Sequence, residues 1–209
     1  YADFNVYQKE YEKYDVLSDL DMTMEDTMYV TREMMAYLRG DRDTLSVVTT
    51  VEGVEQDFFN EQDRFHMGEV RELFIGGLKI RTGACVTAVL CLLLLLALGA
   101  DVKKVLPRAY QRALALCGAA VLILGLACLI DFNAVFVQFH HIFFDNDLWL
   151  FDPAEDYMIR MLPEGLFYDM VIRIGGLFVG ILLVLLAVSF LPRITARFSA
   201  PCGDRRGLS

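Results

Sequence analysis

The chain has 209 residues and three histidines, His66, His140 and His141. Imidazole titrates near neutral pH, so it is the side chain best placed to move protons under physiological conditions. Glu69 follows His66 by three residues. On a helix the two share a face, and a carboxylate so placed can hold an imidazole in one tautomer. His140 and His141 lie in an aromatic run that includes Phe132, Phe136, Phe139, Phe143 and Phe144. Read as a helix, this run aligns Phe132, Phe136, Phe139 and Phe143 in a stripe bordered by His140, with Gln138, His141 and Asp145 on the wetter face. Three readings are open on these residues: acid–base catalysis on a lipid-borne substrate, a metal site of histidines and carboxylates, or interfacial histidines that only hydrogen-bond locally. The metal reading lacks a His-Glu-x-x-His or paired-cysteine spacing. Covalent catalysis lacks a Gly-x-Ser-x-Gly elbow, and no phosphate loop or dinucleotide fingerprint occurs.

The elements that must position these histidines are set by a membrane. The chain is 56% hydrophobic with mean hydropathy +0.41. That exceeds the apolar share of ordinary soluble domains and excludes disorder. A pI of about 4.8 argues against a nucleic-acid partner. Charge-free stretches cover 82–100, 113–130 and 174–192. Each is close to the roughly 20 residues that cross a hydrocarbon core at about 1.5 Å per residue. The expectation is an all-α, polytopic membrane bundle with spans at about 82–100, 113–133 and 172–192. The aromatic run after the second span then sits at headgroup depth, as an interfacial belt.

Charge gives the sides. Residues 1–79 hold 18 acids against 8 bases. Between the first two spans lie Lys103, Lys104, Arg108 and Arg112, and after Pro192 lie Arg193, Arg197, Arg205 and Arg206. The positive-inside rule makes both basic segments cytoplasmic. A small, mainly helical segment, 1–80, and the outer loop, 134–170, are then extracytoplasmic, with all three histidines, and 193–209 is a cytoplasmic tail. An outer segment before the first of three spans calls for a preceding membrane helix or a cleaved signal, and a missing helix is the expectation. Cysteines at 85, 91, 117, 128 and 202 leave the outer segment without a disulfide staple and read as small packing residues.

Within 1–80 the spacing of Phe4, Tyr7, Tyr11 and Tyr14 predicts one helix. A second opens at Thr31 and stops at Gly40, and a third starts near Glu61 and runs into the first span. Residues 45–51 are β-prone but too short for an independent sheet.

Several segments in order resemble a known family. They are Glu33-Met34-Met35-Ala36-Tyr37-Leu38-Arg39-Gly40, His66-Met67-Gly68-Glu69-Val70-Arg71, Phe139-His140-His141-Ile142-Phe143-Phe144-Asp145-Asn146-Asp147-Leu148-Trp149, Asp152-Pro153, and Leu162-Pro163-Glu164-Gly165-Leu166-Phe167. The order resembles a family of bacterial integral membrane proteins that includes Lit, the lipoprotein intramolecular transacylase, over residues from about 4 to 192. The resemblance implies four membrane helices, the first before the outer segment. It implies that one acyl chain of a lipoprotein moves from the glyceryl sn-2 oxygen to the α-amine of the N-terminal cysteine, giving the lyso-form. The family's two functional histidines fall on His66 and on His140, with His141 one position away from the second assignment. His66 oriented by Glu69 would be the base and His140 its partner, or the reverse. Asn146, Trp149 and Arg160 are candidate substrate-binding groups, although Trp149 equally suits an interfacial anchor. The implied partners are lipid-anchored lipoproteins and the bilayer, with no cofactor and no metal.

Overall fold

A computed structural model describes residues 4–198. Residues 199–209, with Cys202, Arg205 and Arg206 of the expected tail, lie outside the described residues.

The chain divides into two compact units. The first holds residues up to Val86 together with Asp131–Val171, and the second holds Thr87–Ile130 and residues from Ile172. The first unit begins with helices α1 (Phe4–Lys13), α2 (Val16–Asp19) and α3 (Met24–Arg39). Tyr7 and Tyr11 of the predicted stripe are buried, and Tyr11 Oη lies 2.7 Å from Thr31 Oγ1 across to α3. Helix α3 opens seven residues before the expected start at Thr31. Thr23 caps it, accepting from the Asp26 N–H, and Thr31 is a fully buried interior residue instead. Its hydroxyl donates to the Thr27 carbonyl, which explains how a residue that favours helix starts is tolerated mid-helix. The stop at Gly40 is as expected, with φ +81° and its N–H bonded back to the last turn.

The β-prone segment finds a partner the sequence reading missed. β1 (Val48–Val51) pairs antiparallel with β2 (Val54–Asp57), Val51 opposite Val54. Glu52 and Gly53 join them, both at positive φ, the turn that matches strand twist. The hairpin is stable because it is packed rather than isolated: Val47, Val51, Phe58 and Phe59 are buried with Val16, Leu20, Val30, Met34, Met158 and Met161.

Helix α4 (Glu61–Ala97) starts where expected, and α5 (Val102–Ile130), α6 (Phe132–Phe143), α7 (Tyr157–Met161) and α8 (Glu164–Phe198) follow. Helices α4, α5 and α8 are each long and apolar enough to cross a membrane, and almost no residue of their apolar stretches is buried. Leu94, Leu116, Ile123 and Leu183 are more than half exposed, as expected of helices whose solvent is lipid. The first span stops at Ala97, not 100, because the chain turns through Gly99 at φ +66°. The second stops at Ile130, not 133, because Asp131 breaks from helical φ/ψ and caps α6 through the Ala134 N–H. Helix α8 continues past 192, so the first residues of the expected tail are helical. Within the second unit Tyr110 Oη donates to the Leu182 carbonyl at 2.6 Å and Gln111 Nε2 to Ser189 Oγ at 2.8 Å. Such bonds join helices where lipid removes the hydrophobic drive between them. Of the four described cysteines only Cys128 is buried, so the packing role expected for them fits that one alone.

Candidate active site

The site is built inside the first unit. Helix α4 begins with a reciprocal cap: the Asp63 N–H donates to Asn60 Oδ1 at 2.9 Å and the Asn60 N–H to Asp63 Oδ2 at 3.0 Å. One turn on, His66 is buried with Met67. Arg64 anchors the same turn, donating to the Leu45 carbonyl at 2.9 Å and to Asp57 at 2.6 Å.

His140 comes from the last turn of α6 and is also buried. The two imidazoles lie nearly parallel at 25°, with centroids 5.8 Å apart. Phe144 and Phe151 approach His66 edge-on at 4.9 and 5.4 Å. Phe136 lies 4.3 Å from His140, and Trp149 stacks on it at 4.7 Å and 30°. The histidines therefore sit in a cage of aromatic rings. Burial pushes His66 down to about 4, with the neighbouring His140 adding to the effect. Burial also holds His140 below the ordinary histidine value, against the hydrogen bond to Phe136 that favours its charged form. Both rings are therefore neutral near pH 7. His140 Nδ1 lies 2.7 Å from the Phe136 carbonyl. A carbonyl only accepts, so Nδ1 carries the proton and Nε2 presents the lone pair.

The segment after α6 is pinned to α4 at three points. Asn146 Nδ2 donates to Glu69 Oε1 at 2.8 Å, Gln62 Nε2 donates to the Leu148 and Leu150 carbonyls at 3.0 and 3.1 Å, and Asn60 donates to Asp156. The two bonds from Gln62 bracket Trp149.

Several sequence expectations change here. Glu69 does not orient His66: it accepts from Asn146, while His66 Nδ1 is buried without a partner. Of the adjacent histidines, His140 faces His66; His141 is exposed and lies perpendicular to Trp149, with ring centroids 5.2 Å apart. Arg160 is not brought to the histidines. Its guanidinium is committed to Asp19 and to Glu52 of the hairpin turn, tying α7 to α2 and to the β1–β2 connection. The Phe stripe divides: Phe139 and Phe143 are exposed, as a belt would be, but Phe132 packs on Tyr168 and Phe136 on Phe167 and His140. The reading also missed the buried carboxyls Asp63 and Asp156. The pattern Asn60-x-x-Asp63 ahead of a helix was the available signal for the first. Nothing local marked Asp156, Phe144 or Phe151. Among the described residues no three His, Cys, Asp or Glu side chains are grouped to hold a metal ion.

Over residues 1–167 the sequence matches the family of the lipoprotein intramolecular transacylase Lit. The chain belongs to this family. No curated protein matches it significantly. Among solved structures, the membrane-integral lipoprotein intramolecular transacylase Lit from Bacillus cereus is similar, with a TM-score of 0.66 and 23% identity over 94% of this chain and 82% of that one. Two further structures of the Bacillus cereus protein, each with one histidine substituted, match at a TM-score of 0.59 and 23% identity, over 92% of this chain and 79% and 78% of theirs. At that identity the likeness establishes the fold, and it agrees with the three apolar helices. The chain is a multi-pass membrane protein of the Lit family, a family of acyl-transferring enzymes.

Proposed function

We propose that the His66–His140 pair catalyses intramolecular acyl transfer on lipoproteins, from the glyceryl sn-2 oxygen to the α-amine of the N-terminal cysteine. The observation that carries this reading is the pairing itself: two buried imidazoles from distant segments, 5.8 Å apart and enclosed by aromatic rings. His140 Nε2, left as an acceptor by the bond from Nδ1–H to Phe136, takes a proton from the amine as it attacks the ester carbonyl. The same proton returns to the glyceryl oxygen when the carbon–oxygen bond breaks. His66, kept neutral by burial, hydrogen-bonds the leaving oxygen through its ring N–H. Amine, ester and leaving group belong to one molecule, so no acyl-enzyme is needed and positioning supplies much of the acceleration. Asn146, bonded to Glu69, and Trp149, on His140, shape the site, and Arg160 braces the unit that carries it.

The histidine-bearing unit is extracytoplasmic in this proposal, and the basic start of α5 (Lys103, Lys104, Arg108 and Arg112) is cytoplasmic.

Transfer leaves the substrate's mass unchanged and removes its free amine. In a bacterial host without lyso-form lipoproteins, expression of the full protein should make a lipoprotein's N-terminus unreactive to amine reagents. His66→Ala and His140→Ala should each reduce this by roughly 10²–10⁴-fold, and His141→Ala should not. Full activity in either buried-histidine variant would overturn the proposal.

A further inference from the structure

Trp149 is the chain's single tryptophan. It is buried, and its indole Nε1 has no hydrogen-bond acceptor. Indole N–H only donates, and buried donors without partners are rare enough in folded proteins to call for a reason. A membrane-anchoring tryptophan presents its N–H to headgroups or water, which is the opposite arrangement. The ring stacks 4.7 Å from His140. It also lines a cavity of about 240 Å³ with Phe136, Leu150, Phe151, Leu162 and Phe167. The polar side chains on that cavity, Asn133 and Glu164, are already bonded to each other at 2.9 Å. The indole is thus an unspent donor beside a neutral, tautomer-fixed imidazole in apolar surroundings, where a hydrogen bond to developing charge is worth most.

We propose that the Trp149 indole N–H is the oxyanion donor of the acyl transfer, receiving the carbonyl oxygen of the migrating acyl group while its chain occupies the apolar cavity. This rests on the acyl-transfer reading above. As the amine nitrogen bonds to the ester carbon, the carbonyl π pair moves onto oxygen, and the indole donates a hydrogen bond to that oxyanion without losing its proton. When the pair returns, the bond to the glyceryl oxygen breaks. The amine's proton ends on that oxygen, leaving an amide and an alcohol with nothing gained or lost.

Benzothienylalanine, which carries sulfur in place of the ring N–H, incorporated at this position alone removes only that donor. The full protein, reconstituted in lipid, would be assayed in that form and as Trp149→Phe against a diacylglyceryl lipopeptide. The expected result is a loss of roughly 10²–10³-fold in kcat, the usual effect of removing one oxyanion donor, with KM unchanged in both forms and the melting temperature unchanged in the sulfur analogue. Wild-type kcat in the sulfur analogue would overturn the assignment, as would a raised KM with kcat held. If the Phe variant misfolds, the isosteric analogue still decides. An inactive unsubstituted protein would instead overturn the acyl-transfer reading, so the two failures are distinguishable.

Discussion

At the residue scale the decisive fact is that His140, not His66, has its tautomer fixed by a neighbour. The spacing of His66 and Glu69 was legible and suggested the reverse, because sequence separation shows which groups share a face but not which outside group competes for them. Asn146, 77 positions away, donates to one oxygen of the Glu69 carboxylate, Oε1. Glu69→Gln should therefore lose less than about tenfold in rate, since the amide oxygen still accepts from Asn146 and a typical hydrogen bond is worth about 1 kcal/mol. A loss comparable to His66→Ala would restore Glu69 to the catalytic pair. Acid sensitivity follows from burial. An unfolded imidazole titrates near 6.5, whereas folded His66 titrates near 4. The unfolded chain therefore binds the extra proton between these values. The contribution of a neutral His66 to stability is complete above about pH 6.5 and is lost as pH falls toward 4. The rate should show no acid limb at 6.5, and should rise through about pH 8 as the substrate's α-amine deprotonates. A pH–rate profile in reconstituted protein checks both limbs, and a limb at 6.5 that vanishes in His140→Ala would contradict the lowered values.

At the element scale the site depends on how the segment between α6 and α7 is tied to α4. Gln62 holds the backbone on both sides of Trp149. Gln62→Ala should cost about 1–2 kcal/mol, and should make Trp149 emission more accessible to quencher while the helices persist. Unchanged quenching would show that the segment is held without Gln62. The start of α8 gives a second test. A Cβ on Gly165 would come within 2.5 Å of the Tyr14 ring, whose hydroxyl donates to Asp169 at 2.7 Å. Gly165→Ala should lower the melting temperature through overpacking of about 1–3 kcal/mol, and Tyr14→Leu should relieve part of that loss. Helices were legible in proportion to their periodicity. The Tyr7–Tyr11 stripe and the long runs in α4 and α8 signalled themselves, and the Gly40 stop did too. Strand β2 did not: Val54, Glu55, Gln56 and Asp57 show little alternation, and only the pairing with β1 defines them.

At the scale of the whole molecule the spans were the most legible feature, because lipid demands an uninterrupted apolar run that few other structures need. Their ends were less legible, since the second was expected to run to about 133 and Asp131 instead caps a separate helix. The juxtaposition of His66 with His140 could not be read from residue spacing at all. It depends on tertiary packing; the residues singled out the histidines and the resemblance named His66 and His140, but neither placed them side by side. Sidedness has its own test. A cysteine at Asp145→Cys should react with an impermeant maleimide in intact cells, and native Cys202 only after permeabilisation; the opposite pattern would reverse the proposed orientation. The account as a whole turns on a transfer that stays within one molecule. The most direct measurement uses purified protein in lipid with a synthetic diacylglyceryl lipopeptide, followed by tandem mass spectrometry. The account predicts an unchanged total mass, an N-acyl fragment and a free glyceryl hydroxyl, all dependent on His66 and His140. A product heavier or lighter by one acyl chain, or a persistent free amine, would contradict it.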